Sequence, residues 1–293
     1  MTFEQAKEHA KRNVKNRPST GGRLSGKIAV VTGSAQGLGL GIAREMHKNG
    51  AFVIIADLES QRVAAEKAAG ELCGRSAFIP VDVSEELSVE KMICETVGRF
   101  GGLDIMVANA GVTKAGSIHD MDLKTFEFIT KINYTGYYLC AKYAAEIMLA
   151  EFEADSERYS DIIQINSKSG IIGSKNNFSY SGSKFGGIGL TQSLALELAP
   201  YQIKVNSICP GNFYDGPMWS EPEKGLFVQY LHADKVPGAK TVEDVKRFYL
   251  AKQPMNKRGC LPSDVAKAIF YCVEQEFETG QAIPVTGGQV MIS

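Results

Sequence analysis

The chain has 293 residues, of which 44% are hydrophobic and 22% charged, a globular composition that excludes disorder as the dominant state. Its formal net charge of −1 provides no overall field for nucleic acid or an anionic membrane. No apolar run approaches the roughly 20 residues of a spanning helix. The six cysteines (Cys73, Cys94, Cys140, Cys209, Cys260 and Cys272) are scattered singly, as in a reduced cytoplasmic protein. None of the four histidines has metal-ligand spacing, so no metal site is expected.

Residues 1–23 carry six basic residues against Glu4 and Glu8, a net charge of +4. Ala6, Ala10 and Val14 share one side of a short helical pattern that Pro18 and the following glycines end. The segment has no apolar core of a secretory signal, and its two glutamates argue against a transit peptide. A solvated N-terminal basic arm over residues 1–25 is the primary expectation, with contact to a neighbouring subunit as the alternative.

From residue 26 to 293 the pattern is that of one α/β domain. Buried β-branched runs at 28–32, 52–56, 77–81, 105–108, 161–166, 203–208 and 281–285 predict seven strands. Helical patterns at 38–49, 60–72, 85–99, 122–150 and 180–199 fall between them. Such interleaving predicts a doubly wound parallel sheet of the Rossmann type, covered by helices on both faces. Residues 212–262 break the rhythm, with Pro217, Pro222, Pro237 and Pro254 among them and no clear strand. They follow the sixth strand, where ligands of such sheets bind, and are read as a helical substrate lid.

The first strand runs into Thr32-Gly33-Ser34-Ala35-Gln36-Gly37-Leu38-Gly39, and a helix pattern follows at once. Glycines there permit a tight turn and let backbone N–H groups reach a pyrophosphate at the helix N-terminus. Asp57 ends the second strand, 18 positions beyond Gly39. A carboxylate there accepts hydrogen bonds from an adenosine ribose and repels a 2′-phosphate, although a turn or N-cap aspartate fits the same place. With serine at 34 and leucine at 58, no arginine awaits a 2′-phosphate, so NAD is expected over NADP.

The T-G-x-x-x-G-x-G spacing resembles the glycine motif of the short-chain dehydrogenase/reductase family. Asp82-Val83, Asn109-Ala110-Gly111 and Pro210-Gly211 match that family in order along the chain. The resemblance implies that Asp82 and Val83 flank the adenine and that Asn109 braces the sheet beside the cofactor. After Pro210-Gly211 the family's usual threonine is missing from the run Asn212-Phe213-Tyr214-Asp215-Gly216, which leaves the backbone of Phe213 for the carboxamide.

Tyr180 and Lys184 lie four apart in a helical pattern and share one of its faces. A tyrosine with a reference pKa near about 10 is a weak base until a neighbouring ammonium favours its phenolate. Ser167 stands 13 residues earlier, at the end of the fifth strand, able to hydrogen-bond a reacting oxygen. With Asn133 these residues match the family's catalytic tetrad. The resemblance implies a proton path through Asn133 and a ribose contact for Lys184.

Five stretches, at 165–170, 174–177, 184–187, 257–260 and 285–291, further resemble one branch of the family, the dehydrogenases of sugar-alcohol phosphates such as sorbitol 6-phosphate. That resemblance implies oxidation of a polyol phosphate to a ketose phosphate. Lys168 and Lys175 are candidate phosphate contacts, and Asn176, Asn177 and Asn212 candidate hydroxyl contacts. Surface loops are rich in lysine and asparagine in any case. A 3-oxoacyl carrier-protein reductase shares the fold and tetrad but usually takes NADPH, which Asp57 opposes. A non-catalytic NAD- or nucleic-acid-binding protein is the alternative of a different class, supported only by the basic N-terminus. Family resemblance, with apolar residues all round 188–199, implies a homotetramer.

Overall fold

In the computed structural model, which describes residues 1–255 and 257–291, the buried runs align as one parallel sheet. Its strands are β1 (Ile28–Thr32), β2 (Phe52–Asp57), β3 (Ser76–Pro80), β4 (Ile105–Ala108), β5 (Ser160–Ile165), β6 (Ile203–Pro210) and β7 (Ala282–Val285). They stand in the order β3-β2-β1-β4-β5-β6-β7. Val30 of β1 pairs with Ile54 on one side and Met106 on the other. Successive strand residues point to opposite faces, so each strand feeds two cores. Val30, Ile54, Met106 and Ile162 enter one; Val31, Ile55, Val107 and Ile163 enter the other.

The helices are α1 (Phe3–Asn13), α2 (Gly37–Lys48), α3 (Arg62–Glu71), α4 (Glu86–Phe100), α5 (Leu123–Thr130), α6 (Gly136–Ala154), α7 (Phe178–Leu198), α8 (Pro217–Ser220), α9 (Leu226–His232), α10 (Val242–Ala251) and α11 (Pro262–Glu274). Strand order reverses between β1 and β4, which opens a crevice at the carboxyl ends of the strands. The pattern at 122–150 forms α5 and α6 joined by a π-helical turn, Lys131–Thr135, that carries Asn133. Among the described residues, no helix is long and apolar enough to cross a membrane.

Three features differ from the sequence expectation or add to it. The N-terminal segment is not a solvated arm. Its α1, opened by a Thr2–Gln5 capping box, packs on α4 and α6 with Ala6 and Ala10 fully buried. Two alanines four apart let the helix approach closely, and its bases face acids of α6: Lys7 meets Glu146 at 3.0 Å and Lys11 meets Glu153 at 2.7 Å. Arg17 then pairs with the buried carboxylates of Asp104 and Glu151.

Residues 262–274, left without an element by the sequence reading, form α11. Val265, Ala266, Ile269 and Phe270 are buried on its inner face, and the helix packs against α2.

Residues 212–262, apart from Asn256, which lies outside the described residues, hold α8–α10 around an aromatic core of their own. Trp219 is its hub, edge-on to Tyr214 and Phe227 at 5.0 Å and to Tyr249 at 5.2 Å between ring centroids.

Candidate active site

A cavity of about 450 Å³ runs along the carboxyl ends of the strands. Asp57 and Asp82 wall one end, and Trp219, Tyr230 and Lys235 wall the other. The turn after β1 forms its floor. Gly33 and Gly37 have φ of +63° and +62°, in the left-handed region that favours glycine. A Cβ on Gly39 would lie 2.3 Å from the Gly33 carbonyl oxygen, so only glycine lets α2 start this close to the turn. Gln36, the N-cap of α2, makes no capping bond, and no acid lies in the first turn. The first N–H groups of α2 therefore lack a side-chain partner, and a pyrophosphate is the anion such a terminus accepts.

The other expected cofactor contacts line the same cavity: Gln36, Leu38, Asp57, Asp82, Val83, Asn109, Gly111, Pro210 and Phe213. Asn109 braces the turn, its Nδ2 donating to Thr32 O at 2.8 Å and Gly33 O at 3.1 Å. Asp57 accepts from Ala35 N and Leu58 N, each at 2.8 Å, which ties its carboxylate to the glycine turn while it faces the cavity. Both readings of Asp57, turn residue and cavity wall, hold at once. No arginine stands among the described walls. A dinucleotide fits this cradle: glycines beneath, an open helix terminus for the phosphates and an acid at the ribose end.

Ser167, Tyr180 and Lys184 converge at the middle of the cavity. The end of β5 presents Ser167, whose backbone N–H donates to Asn166 Oδ1 at 2.8 Å. Tyr180 and Lys184 come from adjacent turns of α7, with Lys184 Nζ 5.6 Å from the centroid of the Tyr180 ring. Lys184 Nζ also donates to Ile165 O at 2.8 Å. Burial pushes the Tyr180 hydroxyl up, and the neighbouring Ser167 hydroxyl draws it back. Burial pulls Lys184 down to about 8. Asn133 lies behind the wall, buried, where its side chain holds Val112 and Ser183.

The expected substrate contacts divide. Lys168 and Asn212 are on the wall, with Lys168 Nζ donating to Gln289 Oε1 at 3.2 Å and Asn212 Nδ2 to the Tyr214 hydroxyl at 2.9 Å. Lys175 is exposed and outside the cavity, contrary to expectation, and so is Asn176 outside it. Residues 174–177 make a tight turn, closed by Asn177 N on Ser174 O at 3.2 Å, with Asn176 at φ +57°. Ser174 and Asn177 face the cavity, while the two residues at the tip face away.

Sequence reasoning missed Lys235, Trp219, Tyr230 and Tyr249, which wall the outer half of the cavity. They come from the aperiodic segment after β6, and no motif singles them out. Lys168 is pulled down to about 8 by burial and then by the Lys252 ammonium. Lys235 is likewise pulled down to about 8, by burial and then by Lys168.

The family model described as short chain dehydrogenase matches residues 27–225. The sorbitol-6-phosphate 2-dehydrogenase of Escherichia coli is 38% identical over 270 residues, which cover 90% of this chain and 99% of that protein. A 3-oxoacyl-[acyl-carrier-protein] reductase of Aquifex aeolicus is 31% identical over 91% of this chain and 98% of its own length. Among solved structures, the sorbitol-6-phosphate 2-dehydrogenase of Erwinia amylovora superposes with a TM-score of 0.80 at 39% identity, covering 90% of this chain and all of that one. The 3-ketoacyl-(acyl-carrier-protein) reductase of Brucella melitensis, complexed with NADH, gives 0.77 at 27% identity, covering 91% and 99%.

Proposed function

This chain belongs to the short-chain dehydrogenase family and is an oxidoreductase of CH–OH groups, and from that premise we propose that it oxidises a polyol phosphate, such as sorbitol 6-phosphate, with NAD. The observation that carries the reading is the place of Lys168. Its half-buried side chain shares the cavity of Tyr180, and the residue directly follows Ser167 in the chain. Asn212 on the same wall suits a hydroxylated substrate, and the E. coli and E. amylovora relatives carry the name of that reaction.

In this reading Ser167 and Tyr180 together hold the substrate hydroxyl, and Tyr180 Oη takes its proton as the carbinol C–H is lost as hydride. The nicotinamide ring supplies the hydride acceptor. Lys184 Nζ stands 5.6 Å from the centroid of the Tyr180 ring, and an ammonium this near favours the phenolate over the neutral phenol. Lys184 also takes the ribose-binding role, and Asn133 the relay position beside it. Gly33, Gln36, Gly37, Leu38 and Gly39 hold the pyrophosphate, Asp57 the adenosine ribose, and Asp82 with Val83 the adenine. Asn109, Gly111, Pro210 and Phe213 line the nicotinamide end.

The test is NADH formation from NAD with sorbitol 6-phosphate beside free sorbitol. Turnover that depends on the phosphate supports the reading; equal use of both removes the phosphate from it. The aromatic wall of Trp219, Tyr230 and Tyr249 favours a second reading, reduction of a 3-oxoacyl thioester, which the A. aeolicus relative's name describes. NADPH-dependent reduction of an acetoacetyl thioester, with every polyol inert, would install that reading instead. Exposed apolar side chains on α5–α7, among them Phe128, Phe185 and Leu196, suit the family's pairing face, and we assign a homotetramer on that basis.

A further inference from the structure

The outer half of the cavity collects positive charge without a counterion. Among the described residues, the only acids on the cavity wall are Asp57 and Asp82, at the opposite end. Among the described residues, neither Lys168 nor Lys235 makes an ion pair. Lys235 Nζ instead sits 3.9 Å from the centroid of the Tyr230 ring. Its chain neighbour Asp234 is exposed and leaves it unpaired.

The backbone builds this position. Lys235 N donates to Tyr230 O at 3.0 Å and closes the end of α9. Asp234 takes a φ of +44°, a left-handed conformation that reverses the chain there. Val236, buried in the aromatic core, pins the residue that follows. Two partly buried ammonium groups in one cavity raise each other's charging cost, and an anion between them lowers it.

We propose that Lys235 is the second arm of a phosphate clamp with Lys168, and that it sets the preference for a phosphorylated substrate. The inference rests on the polyol-phosphate reading. A phosphate monoester carries about −1.5 to −2 charges at neutral pH, so one ammonium leaves it under-neutralised and two match it. A free polyol and an acyl chain bring no such charge. Lys235 reaches the site from the 212–262 segment and Lys168 from the end of β5, so an anion held between them joins that segment to the sheet.

The experiment uses the full chain with NAD bound. Inorganic phosphate is titrated calorimetrically into wild type, Lys235→Gln and Lys235→Arg, and kcat/KM is measured for sorbitol 6-phosphate and for free sorbitol. Wild type is expected to bind phosphate, Lys235→Gln to bind it at least fivefold more weakly, and Lys235→Arg to stay within about twofold of wild type. The ratio of kcat/KM for phosphorylated over free sorbitol is expected to fall at least tenfold in Lys235→Gln, through KM. An unchanged phosphate affinity or an unchanged ratio in Lys235→Gln overturns the clamp while leaving the substrate reading intact. A wild type without preference for the phosphorylated polyol overturns the substrate reading, and the clamp with it. Should Lys235→Gln lose its melting transition, Lys235→Met and the arginine variant carry the same comparison.

Discussion

Asn133 and Val112 hold each other by two hydrogen bonds: Val112 N donates to Asn133 Oδ1 at 2.8 Å, and Asn133 Nδ2 donates to Val112 O at 2.9 Å. Asn133 sits in the π-helical turn between α5 and α6, where one extra residue per turn changes the direction of the side chain. Val112 lines the cavity three residues past Asn109. Replacing Asn133 by alanine strands both backbone groups of Val112, at a cost of about 1–3 kcal/mol. Asn133→Ala is therefore expected to melt several degrees lower and to lose at least tenfold in kcat. A normal melting curve and normal kcat would show that the pair is dispensable.

In the proposed mechanism Tyr180 exchanges the substrate proton, and Tyr180→Phe removes that hydroxyl. Removing a general acid–base costs about 10²- to 10⁴-fold in rate. Turnover should fall within that range while NADH still binds, as read by its fluorescence, because the phenyl ring keeps its place on α7. Turnover within a few-fold of wild type would put the proton on another group.

The pH dependence separates the two substrates. Burial depresses Lys168 and Lys235 in the free protein to about 8 each, and both must be charged to hold a phosphate. Lys184 lies near the same value but serves every substrate, so it cancels from a ratio. The ratio of kcat/KM for sorbitol 6-phosphate over free sorbitol should be greatest near pH 7, fall as pH rises through 8, and fall again below about pH 6 as the substrate phosphate takes up a proton. A ratio that stays flat to pH 9.5 would contradict the assignment of these lysines.

Cofactor choice should follow Asp57. Its carboxylate faces the cavity from the end of β2, where on the proposed reading it would repel a 2′-phosphate, and no arginine is among the described walls to attract one. Wild type is expected to prefer NAD over NADP, and Asp57→Ser to narrow that preference at least tenfold. The Asp57 bond to Ala35 N is lost as well, so part of the change will appear as weaker NAD binding. Equal use of both cofactors by wild type would end the argument.

The sheet and the inner half of the cavity were legible because their signals are local. Seven short β-branched runs, the spacing from Gly33 to Gly39 and the pair Tyr180–Lys184 each lie within one element and its turn. α11 was legible in principle, since Pro262 opens it and Val265, Ala266, Ile269 and Phe270 repeat on one face, but it abuts an aperiodic stretch that hides its start. Lys235 had no local signal at all. Its place depends on the core around Trp219 folding back over the strand ends, a matter of packing among residues far apart in sequence. Lys175 misled for a related reason: position in a loop beside the site does not say which way the turn points its tip.

The N-terminal helix gives the last prediction, and it concerns stability alone. The family model begins at residue 27, so α1 and Arg17 lie ahead of it. Arg17 pairs with Asp104 and Glu151, which are buried and share Arg158 as their other guanidinium partner. Burial raises Glu151 to about 7 against the pull of both arginines. Burial also opposes the Asp104 charge, but Arg17, Arg158 and Lys27 outweigh it and hold that carboxyl below its ordinary range. Removing one partner from a buried ionic cluster costs about 3–5 kcal/mol, because the remaining charge stays out of water. With Arg158 still present, Arg17→Met should fall at the lower end of that range. The sign with pH follows from Glu151, whose folded pKa stands above its unfolded one. Below about pH 6 it is already protonated in the wild type, so losing Arg17 removes less. Above pH 7 the variant must either bury the charge with one partner fewer or hold a proton the unfolded chain releases. The difference in melting temperature between wild type and Arg17→Met should therefore be larger at pH 8 than at pH 5.5. kcat per folded molecule should not change, since Asp104 precedes β4 at the amino edge of the sheet and the cavity lies at the carboxyl edge. A difference that shrank with rising pH would mean that the carboxylates, as ions, do not carry the cost.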